Sequence, residues 1–265
     1  MLSRAITEYY ERGAEQARLE TAPSGQLEFL RTQILLERFL PAPPAAIVDV
    51  GGGAGIHAIP LAQRGYEVHL VDPVPLHVEQ AAGHGLAGTV VADARSLPFE
   101  NARFDAALLL GPLYHLQERA DRVAALAEAR RVVRPGGFVA AATISRFAST
   151  FDGVVKGFLD QEGFEAVVEQ DLRDGRHENP EGRPGWFTTA YFHLPEELPG
   201  EVGDAGLAPE GVFAIEGPGW GIPDLNERLA DPVRRERLLR AIERVETAPS
   251  LLGASAHLLA VGRRA

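Results

Sequence analysis

Short apolar runs alternate with helix-like segments between residues 45 and 147 of the 265-residue chain. The runs are apolar at nearly every position, which is typical of strands in a parallel sheet covered on both faces. Because crossovers between parallel strands are right-handed, this order predicts a doubly wound α/β sheet. The predicted strands are 45–50, 66–72, 88–93, 104–110 and 138–144, and helices are predicted over about 56–64, 76–82 and 117–134.

The segment before this alternation predicts a helical cap over residues 1–40. Leu27, Leu30 and Ile34 recur at helical spacing, and Ser24 stands where an N-cap residue is expected. The prolines over 41–44 then end the helix, because proline cannot continue it.

The alternation stops after residue 147, where we predict one more helix over 148–162. Residues 171–190 are rich in glycine, proline and charge and too long for an ordinary connection, which favours a lid or binding loop. A charged helix over 224–246 is expected between two closing strands, 211–217 and 255–263. One domain is therefore predicted, with a cap (1–40), a core (41–147), a lid insertion (148–210) and a closing segment (211–265).

Composition excludes several classes of function. The net charge of −11 argues against general binding to a nucleic-acid backbone. The absence of cysteine excludes disulfides, thiolate metal sites and cysteine nucleophiles. The histidines show no ligand spacing, so no metal site is predicted. Without an apolar run of about 20 residues or a signal-peptide core, we expect a soluble cytoplasmic protein with no membrane partner. The sequence leaves the oligomeric state open.

A glycine-rich loop, VDVGGGAG (48–55), lies where the first strand becomes a helix. Glycines there allow a sharp turn and the close approach of a ligand to unpaired N–H groups at the helix start. The dinucleotide fingerprint GxGxxG is not met, because Ile56 stands where its third glycine belongs. The alternative interpretation is a tight turn without a ligand.

Carboxylates mark the ends of the next two predicted strands. Asp72 lies 21 residues after Gly51, where it can accept hydrogen bonds from ribose hydroxyls, although a helix N-cap is the alternative. Asp93 ends the third strand and can accept from an adenine amino group, with Ala94 or Leu97 against the ring. Asp49 lies within the first strand, where an unpaired carboxylate is costly. We expect Asp49 to accept backbone N–H bonds of the loop.

Together these motifs resemble the class I S-adenosylmethionine (SAM)-dependent methyltransferases, most closely the small-molecule branch that methylates quinones and natural products. The resemblance covers about residues 45–145. Its segments are VDVGGGAGIHA (48–58), LVDP (70–73), VVADARSLPF (90–99), FDAALLLGPLYHL (104–116) and RRVVRPGGFVAAA (130–142).

This resemblance implies a seven-stranded sheet with an antiparallel last strand and SAM bound across the carboxyl ends of the first strands, with S-adenosylhomocysteine as product. The cofactor-binding residues that it implies are Gly51, Gly52, Gly53, Asp72, Pro73, Asp93, Ala94 and Leu110.

Two departures bear on the substrate. Relatives that methylate DNA or protein amides carry an Asn/Asp-Pro-Pro-aromatic segment after strand four, where this chain has Gly111-Pro112-Leu113-Tyr114. Cytosine C5 methylation and cysteine-dependent arsenic methylation need a thiolate that the chain lacks. A small-molecule substrate is therefore expected.

Candidate catalytic residues follow strand four and the predicted lid. Tyr114 and His115 lie where the transferred methyl group is expected, and His193 follows two aromatic residues suited to a cationic or planar substrate. Histidine is the usual general base near neutral pH, and a purely structural role is the alternative for both histidines.

Further candidates lie on the cap and lid. Tyr9 or Tyr10 is expected to close over the cofactor, unless both pack ordinarily. Arg31 is the candidate partner of a carboxylate of SAM or substrate, with a solvated helix face as the alternative. Aromatic residues that line the lid or pack a minor core are Trp186, Phe187 and Trp220.

The function hypothesis is methyl transfer to N or O of a small metabolite by in-line displacement, with a histidine base where the acceptor is a hydroxyl. An NAD-dependent oxidoreductase is the runner-up, because the loop and Asp72 also suit that cofactor. A SAM-binding protein without catalysis is the third hypothesis.

Overall fold

The computed structural model describes residue 19 and residues 21–265. The predictions for Tyr9 and Tyr10 therefore lie outside the described residues. The strands are β1 (Ala46–Val50), β2 (Glu67–Asp72), β3 (Gly88–Val91), β4 (Phe104–Leu109), β5 (Val133–Ser145), β6 (Arg176–His177), β7 (Ala190–His193), β8 (Ala208–Ala214) and β9 (His257–Arg263). The α-helices are α1 (Pro23–Glu37), α2 (Ala58–Gln63), α3 (Pro75–Ala81), α4 (Arg119–Val132), α5 (Ala148–Val155), α6 (Phe164–Asp174), α7 (Leu198–Asp204), α8 (Leu225–Ala230), α9 (Pro232–Glu243) and α10 (Pro249–Leu252).

The main sheet confirms the predicted doubly wound architecture. Strands β3, β2, β1, β4 and β5 lie side by side and parallel. Strand β9 runs antiparallel to β5, and β8 runs antiparallel to β9, which completes the seven strands. Two further short strands were not predicted. Strand β7 pairs with the carboxyl end of β5 through Ile144 and Phe192, and β6 pairs with β7.

The continuous apolar runs are explained by burial on both faces of the sheet. Val48 and Val50 of β1 belong to one hydrophobic cluster and Ile47 to the other. Helix α4 covers the first face, and helices α1 and α2 cover the second. The first strands are thereby held rigidly, so their carboxyl ends form a fixed edge.

Two predicted helix boundaries are wrong for local reasons. Ser24 lies inside α1, whose N-cap is Ala22 without a side-chain hydrogen bond, because Pro23 already has the backbone angle of a first helical turn. The predicted helix over 224–246 is divided into α8 and α9. Asp231 is extended there and caps α9 by accepting from the N–H groups of Val233 and Arg234.

The predicted lid contains more regular structure than expected. Helix α5 occupies the first half of the predicted 148–162 helix, and α6 takes in the first residues of the 171–190 loop. Gly163 and Gly175 flank α6 with positive φ angles, so Gly175, which was expected within the loop, ends a helix. An irregular connection remains over 178–189.

Candidate functional site

The glycine loop turns tightly between β1 and α2. The Gly51 N–H donates to the Val71 carbonyl at 2.7 Å, and Gly51 has a φ of +69°. A Cβ atom at Gly51 would lie 2.8 Å from Pro112 Cγ, whereas one at Gly53 would meet no atom within 4 Å. Gly51 is therefore required by packing, while Gly53 leaves open space for a ligand.

A cavity of about 400 Å³ lies against this loop at the carboxyl ends of β1, β2 and β4. Ten of the sequence-predicted site residues line this first cavity: Gly51, Gly52, Gly53, Asp72, Pro73, Asp93, Ala94, Leu110, Tyr114 and His115. The structure thus brings together residues that are up to 64 positions apart in the chain.

Asp72 is held firmly at the edge of the first cavity. Its Oδ2 accepts from the Gly53 N–H at 2.9 Å and its Oδ1 from the Val74 N–H at 2.9 Å. His77 Nδ1 lies 3.1 Å from Oδ1, and the side chain is almost fully buried. Asp72 therefore orders the turn before α3 and also borders the cavity, but the N-cap residue of α3 is Val74, so the N-cap interpretation of Asp72 is wrong.

Asp93 is paired with a residue that the sequence reasoning missed. Arg95 donates to both carboxylate oxygens of Asp93, at 2.9 and 2.7 Å, and forms a second ion pair with Asp121 at 3.0 Å. Hydrogen bonding from Arg95 lowers the pKa of Asp93 well below its usual range, so the carboxylate is ionised. Arg95 and Asp121 also line the first cavity.

Asp49 does not accept the backbone hydrogen bonds of the glycine loop that we expected. Neither carboxylate oxygen accepts a hydrogen bond from the described residues, although the side chain is 1% exposed and belongs to the cavity wall. Burial, and then the charge of Asp72, raises the pKa of Asp49 to about 7. A buried carboxylate of this kind is satisfied by a cation. The ammonium group of a methionine moiety is such a cation, so the residues present fit SAM.

His115 and Tyr114 lie in the cavity, as the sequence predicts. His115 stacks on Phe187 with ring centroids 5.8 Å apart, and Tyr114 contacts His115 edge-on. Burial lowers the pKa of His115 to about 4. A hydrogen bond involving the Thr189 backbone raises this pKa, but by less than burial lowers it. His115 is therefore neutral at pH 7 and a weak proton acceptor.

His193 does not lie in either of the two cavities described here, which corrects its assignment to the substrate pocket. It is fully buried, and its Nε2 lies 3.4 Å from Glu201 Oε2. Burial pushes the pKa of Glu201 up, but the hydrogen bonds with His193 and Arg122 outweigh it and hold the pKa at about 2. The group is a structural ion-pair cluster behind β7.

Arg31 is also a structural residue, which corrects its assignment to a ligand carboxylate. Its Nε donates to the Ile215 carbonyl at 2.9 Å, and its Nη2 pairs with Glu246 at 2.5 Å. With 1% of its surface exposed, Arg31 joins α1 to the segments that flank β8 and α10.

A second cavity of about 150 Å³ adjoins the first and shares Glu28 and Tyr114 with it. Its walls include Trp186, Phe187 and Trp220, so the aromatic residues left open by the sequence border a cavity although they are largely buried.

A group of polar residues on the wall of the second cavity was not predicted from the sequence. Glu28 Oε2 lies 3.6 Å from His257 Nδ1, and Glu216 Oε1 lies 2.6 Å from the same nitrogen. One ligand atom from each residue falls within 4.8 Å of the others, as at a metal site, but the hydrogen bond between Glu216 and His257 accounts for this approach. No signal in the sequence joins positions so far apart.

The first cavity lies at the carboxyl ends of the first parallel strands, which is where doubly wound α/β folds bind nucleotide ligands. Residues 48–141 match the family model described as a methyltransferase domain. An O-methyltransferase of Aspergillus nomiae is 31% identical over 156 residues, which cover 48% of this chain and 68% of that protein. The chain belongs to the class I SAM-dependent methyltransferases, the family implied by its motifs, and SAM is its cofactor.

Other relatives agree with this family. A ubiquinone biosynthesis O-methyltransferase of Methylocella silvestris is 35% identical over 46% of this chain and 49% of its own length. The chain spans between 45% and 62% of the first three such enzymes that it matches. A SAM-dependent methyltransferase structure from Mesorhizobium loti shares the fold, with a TM-score of 0.60 at 17% identity over 93% of this chain and all of that one. Within the described part of the chain, no helix has the length and apolar character needed to cross a bilayer.

Proposed function

We propose that the protein transfers the methyl group of SAM to an oxygen or nitrogen atom of a small molecule. The observation that carries this proposal is the convergence of the glycine loop, Asp72 and Asp93 on one cavity. These groups follow three successive strands of a parallel sheet, which is where such folds bind nucleotide ligands.

Each part of the cavity wall suits a different part of the cofactor. We assign Asp72 to the ribose hydroxyls and Asp93 to the adenine amino group, with Ala94 against the ring, because all three residues line the cavity. Asp49 suits the ammonium group, because a cation compensates its buried charge. Bound SAM supplies a methyl group activated by a sulfonium.

The chain's own contribution is alignment and the exclusion of water. Tyr114 and His115 border the cavity beside the shared boundary with the second cavity. Because His115 has a pKa of about 4, we assign it a positioning role as a neutral side chain. A hydroxyl acceptor would need a better base than His115, whereas an amine needs only to be unprotonated.

Calorimetric titration with S-adenosylhomocysteine tests the proposal. We expect binding to the unmodified protein and a loss of at least about 50-fold for Asp72→Ala, because ribose hydrogen bonds and loop order are lost together. Asp105→Ala is the matched control. Asp105 lies at the opposite end of β4 and accepts from the Ala46 N–H, so its loss affects stability and not the cleft.

Three results would contradict the proposal. The first is unchanged affinity of the Asp72 variant, which would remove the ribose site. The second is heat of binding from NAD but none from S-adenosylhomocysteine, which would favour an oxidoreductase. Binding of S-adenosylhomocysteine without methyl transfer to any member of a panel of phenols and amines would favour a non-catalytic protein.

A further inference from the structure

We propose that His177 is the general base that takes the proton from a hydroxyl acceptor bound in the second cavity. This inference rests on the proposed function, because such a base is needed only where a methyl group is transferred. It supplies the base that His115, a weak proton acceptor, does not provide. His177 and Tyr114 line the second cavity, and Tyr114 also lines the first, so the cavity that His177 borders adjoins the cofactor cleft.

A buried carboxylate holds His177 in the tautomer that a base requires. His177 Nδ1 lies 2.8 Å from Asp171 Oδ2, and the two residues are 2% and 0% exposed. Because a carboxylate oxygen accepts hydrogen bonds, Nδ1 carries the ring proton and Nε2 keeps its lone pair. Ser149 donates to the same Asp171 oxygen and helps to fix the carboxylate. Asp171 is thus a positioning residue, and its charge also stabilises the imidazolium that forms when Nε2 takes up a proton.

The second ring nitrogen of His177 has no hydrogen bond within the protein. Nε2 is buried and has no partner among the residues that the structure describes. Buried polar atoms in proteins are nearly always hydrogen-bonded, and a ligand hydroxyl that donates to Nε2 would satisfy this one. Since His177 is part of the wall of the second cavity, a molecule bound there can supply that hydroxyl.

The imidazole of His177 is fixed against the sheet. Its ring stacks on that of Phe192, with centroids 4.6 Å apart and planes 9° apart. His177 belongs to β6 and pairs with Ala190 of β7, which in turn pairs with the carboxyl end of β5. A ring anchored in this way keeps the base at a constant position relative to the cofactor cleft.

Phe187 links His177 to the cofactor cleft. The Phe187 ring centroid lies 6.4 Å from that of His177 and 5.8 Å from that of His115. His115 lines the first cavity and His177 the second. The proposed base is therefore one aromatic side chain away from the cleft in which the methyl donor is expected.

The other charged groups on the wall of the second cavity lie close to one another. Lys156 pairs with Asp152 at 2.8 Å. Glu216 Oε1 lies 2.6 Å from His257 Nδ1, and Glu28 Oε2 lies 3.6 Å from the same nitrogen. His257 is thus a second histidine beside a carboxylate on this wall, and the experiment has to distinguish it from His177.

The proposed step moves one proton and one methyl group. The hydroxyl proton passes to His177 Nε2 while an oxygen lone pair forms the bond to the methyl carbon. The bond from that carbon to sulfur breaks, and its electron pair stays on sulfur. The products are a methyl ether and S-adenosylhomocysteine, and the imidazolium gives its proton to water.

Tryptophan fluorescence measures acceptor binding without turnover. Both tryptophans of the chain, Trp186 and Trp220, line the second cavity, whose volume of about 150 Å³ is enough for one benzene ring. We would titrate protein saturated with S-adenosylhomocysteine with phenol and with toluene, which has nearly the same shape but no hydroxyl. The ratio of the two affinities reports the hydrogen bond to Nε2, because toluene measures packing alone.

Substitution of His177 tests this hydrogen bond. His177→Asn keeps a donor for Asp171 and removes Nε2, so we expect the ratio of phenol affinity to toluene affinity to fall at least about tenfold. The matched control is His84→Asn, at an exposed histidine on neither cavity wall, which should leave both affinities unchanged. Calorimetry with S-adenosylhomocysteine verifies that each variant is folded.

A second variant separates hydrogen bonding from proton transfer. His177→Gln places an amide near the position of Nε2, where its oxygen accepts a hydrogen bond but does not take up a proton. We expect it to keep the affinity ratio within about threefold of the unmodified protein. For any phenol that the protein methylates, its kcat should nevertheless fall at least about 100-fold. An unchanged kcat would contradict the assignment of His177 as the base.

The outcomes distinguish this inference from the proposed function. If His177→Asn still binds S-adenosylhomocysteine and keeps the affinity ratio, the assignment of His177 is wrong and the cofactor site stands. If His257→Asn lowers the ratio and His177→Asn does not, the base is His257. If neither phenol nor toluene changes the emission of the unmodified protein, the second cavity is not the acceptor site and the inference is wrong. If the unmodified protein does not bind S-adenosylhomocysteine, the proposed function itself fails.

Discussion

The Asp72 carboxylate accepts a hydrogen bond from the Gly53 N–H at 2.9 Å, which ties the loop after β1 to the end of β2. The backbone turn and the ribose-binding candidate are therefore one unit. A change in either residue should alter the other, because the loop has to keep its shape for the carboxylate to remain in place.

We predict that alanine at Gly51 mainly lowers stability, whereas alanine at Gly53 mainly weakens ligand binding. Gly51→Ala should lower the free energy of unfolding by about 2–4 kcal/mol, because it combines a positive φ with a close contact to Pro112. Gly53→Ala should cost only about 1 kcal/mol, the strain of its φ. It should nevertheless weaken the binding of S-adenosylhomocysteine at least tenfold, because its Cβ would enter the open space. Chemical denaturation and calorimetry measure the two effects, and a stable Gly51 variant would contradict the packing argument.

Asp49→Asn should stabilise the ligand-free protein in a pH-dependent way. The pKa of Asp49 is about 7 in the folded protein and near 3.8 when unfolded, so its ionisation destabilises the fold increasingly as pH rises through this window. Below pH 4 the carboxyl is protonated in both states and this effect vanishes. Between pH 4 and pH 8, the stability of the variant relative to the original protein should rise by up to about 4 kcal/mol. A difference independent of pH would contradict the raised pKa.

Asp49→Asn should at the same time weaken S-adenosylhomocysteine binding. The amide has no charge to offer an ammonium group, and we expect an affinity loss of about tenfold or more at pH 8. Stabilisation with loss of binding is a pattern that a purely structural carboxylate does not produce.

His115 should remain neutral over the physiological range. We predict that its ring proton resonance does not shift between pH 5.5 and pH 8, because burial holds its pKa at about 4. Comparison of NMR spectra with those of His115→Gln identifies the resonance. An inflection near pH 6.5 would restore His115 as a candidate general base.

Arg31→Met should destabilise the protein without affecting the cofactor site. The substitution removes one partner of buried Glu246, and we expect a loss of about 3 kcal/mol with S-adenosylhomocysteine affinity unchanged in the remaining folded protein. Arg64→Met is a matched control, since its pair with Glu37 is exposed and should contribute less than about 1 kcal/mol. A selective loss of affinity for Arg31→Met would return Arg31 to the cofactor site.

The core strands and the first cavity could be predicted from the sequence, because the residues that indicate them are close together in the chain. Strands buried on both faces have continuous apolar runs, and glycines or carboxylates at their ends show where the fixed edge of the sheet lies. The boundaries of β1, β2 and β4 differ from the prediction by a single residue.

The second cavity could not be predicted from the sequence, because its polar residues come from elements that are far apart in the chain. Glu28 lies on α1, Glu216 follows β8, and His257 begins β9, so only the folded chain brings them together. His193 is the opposite case: it was predicted to line a pocket and does not. Its aromatic neighbours suggested a pocket, but the pairing of β7 with β5 buries the imidazole near Glu201.

The two cavities draw on different stretches of the chain. Between residues 148 and 193 the first cavity takes only Thr189 from the described residues, whereas most of the second wall comes from this stretch. Substitutions in this stretch should therefore reshape the second cavity and leave the proposed adenosyl site in the first cavity almost unaltered.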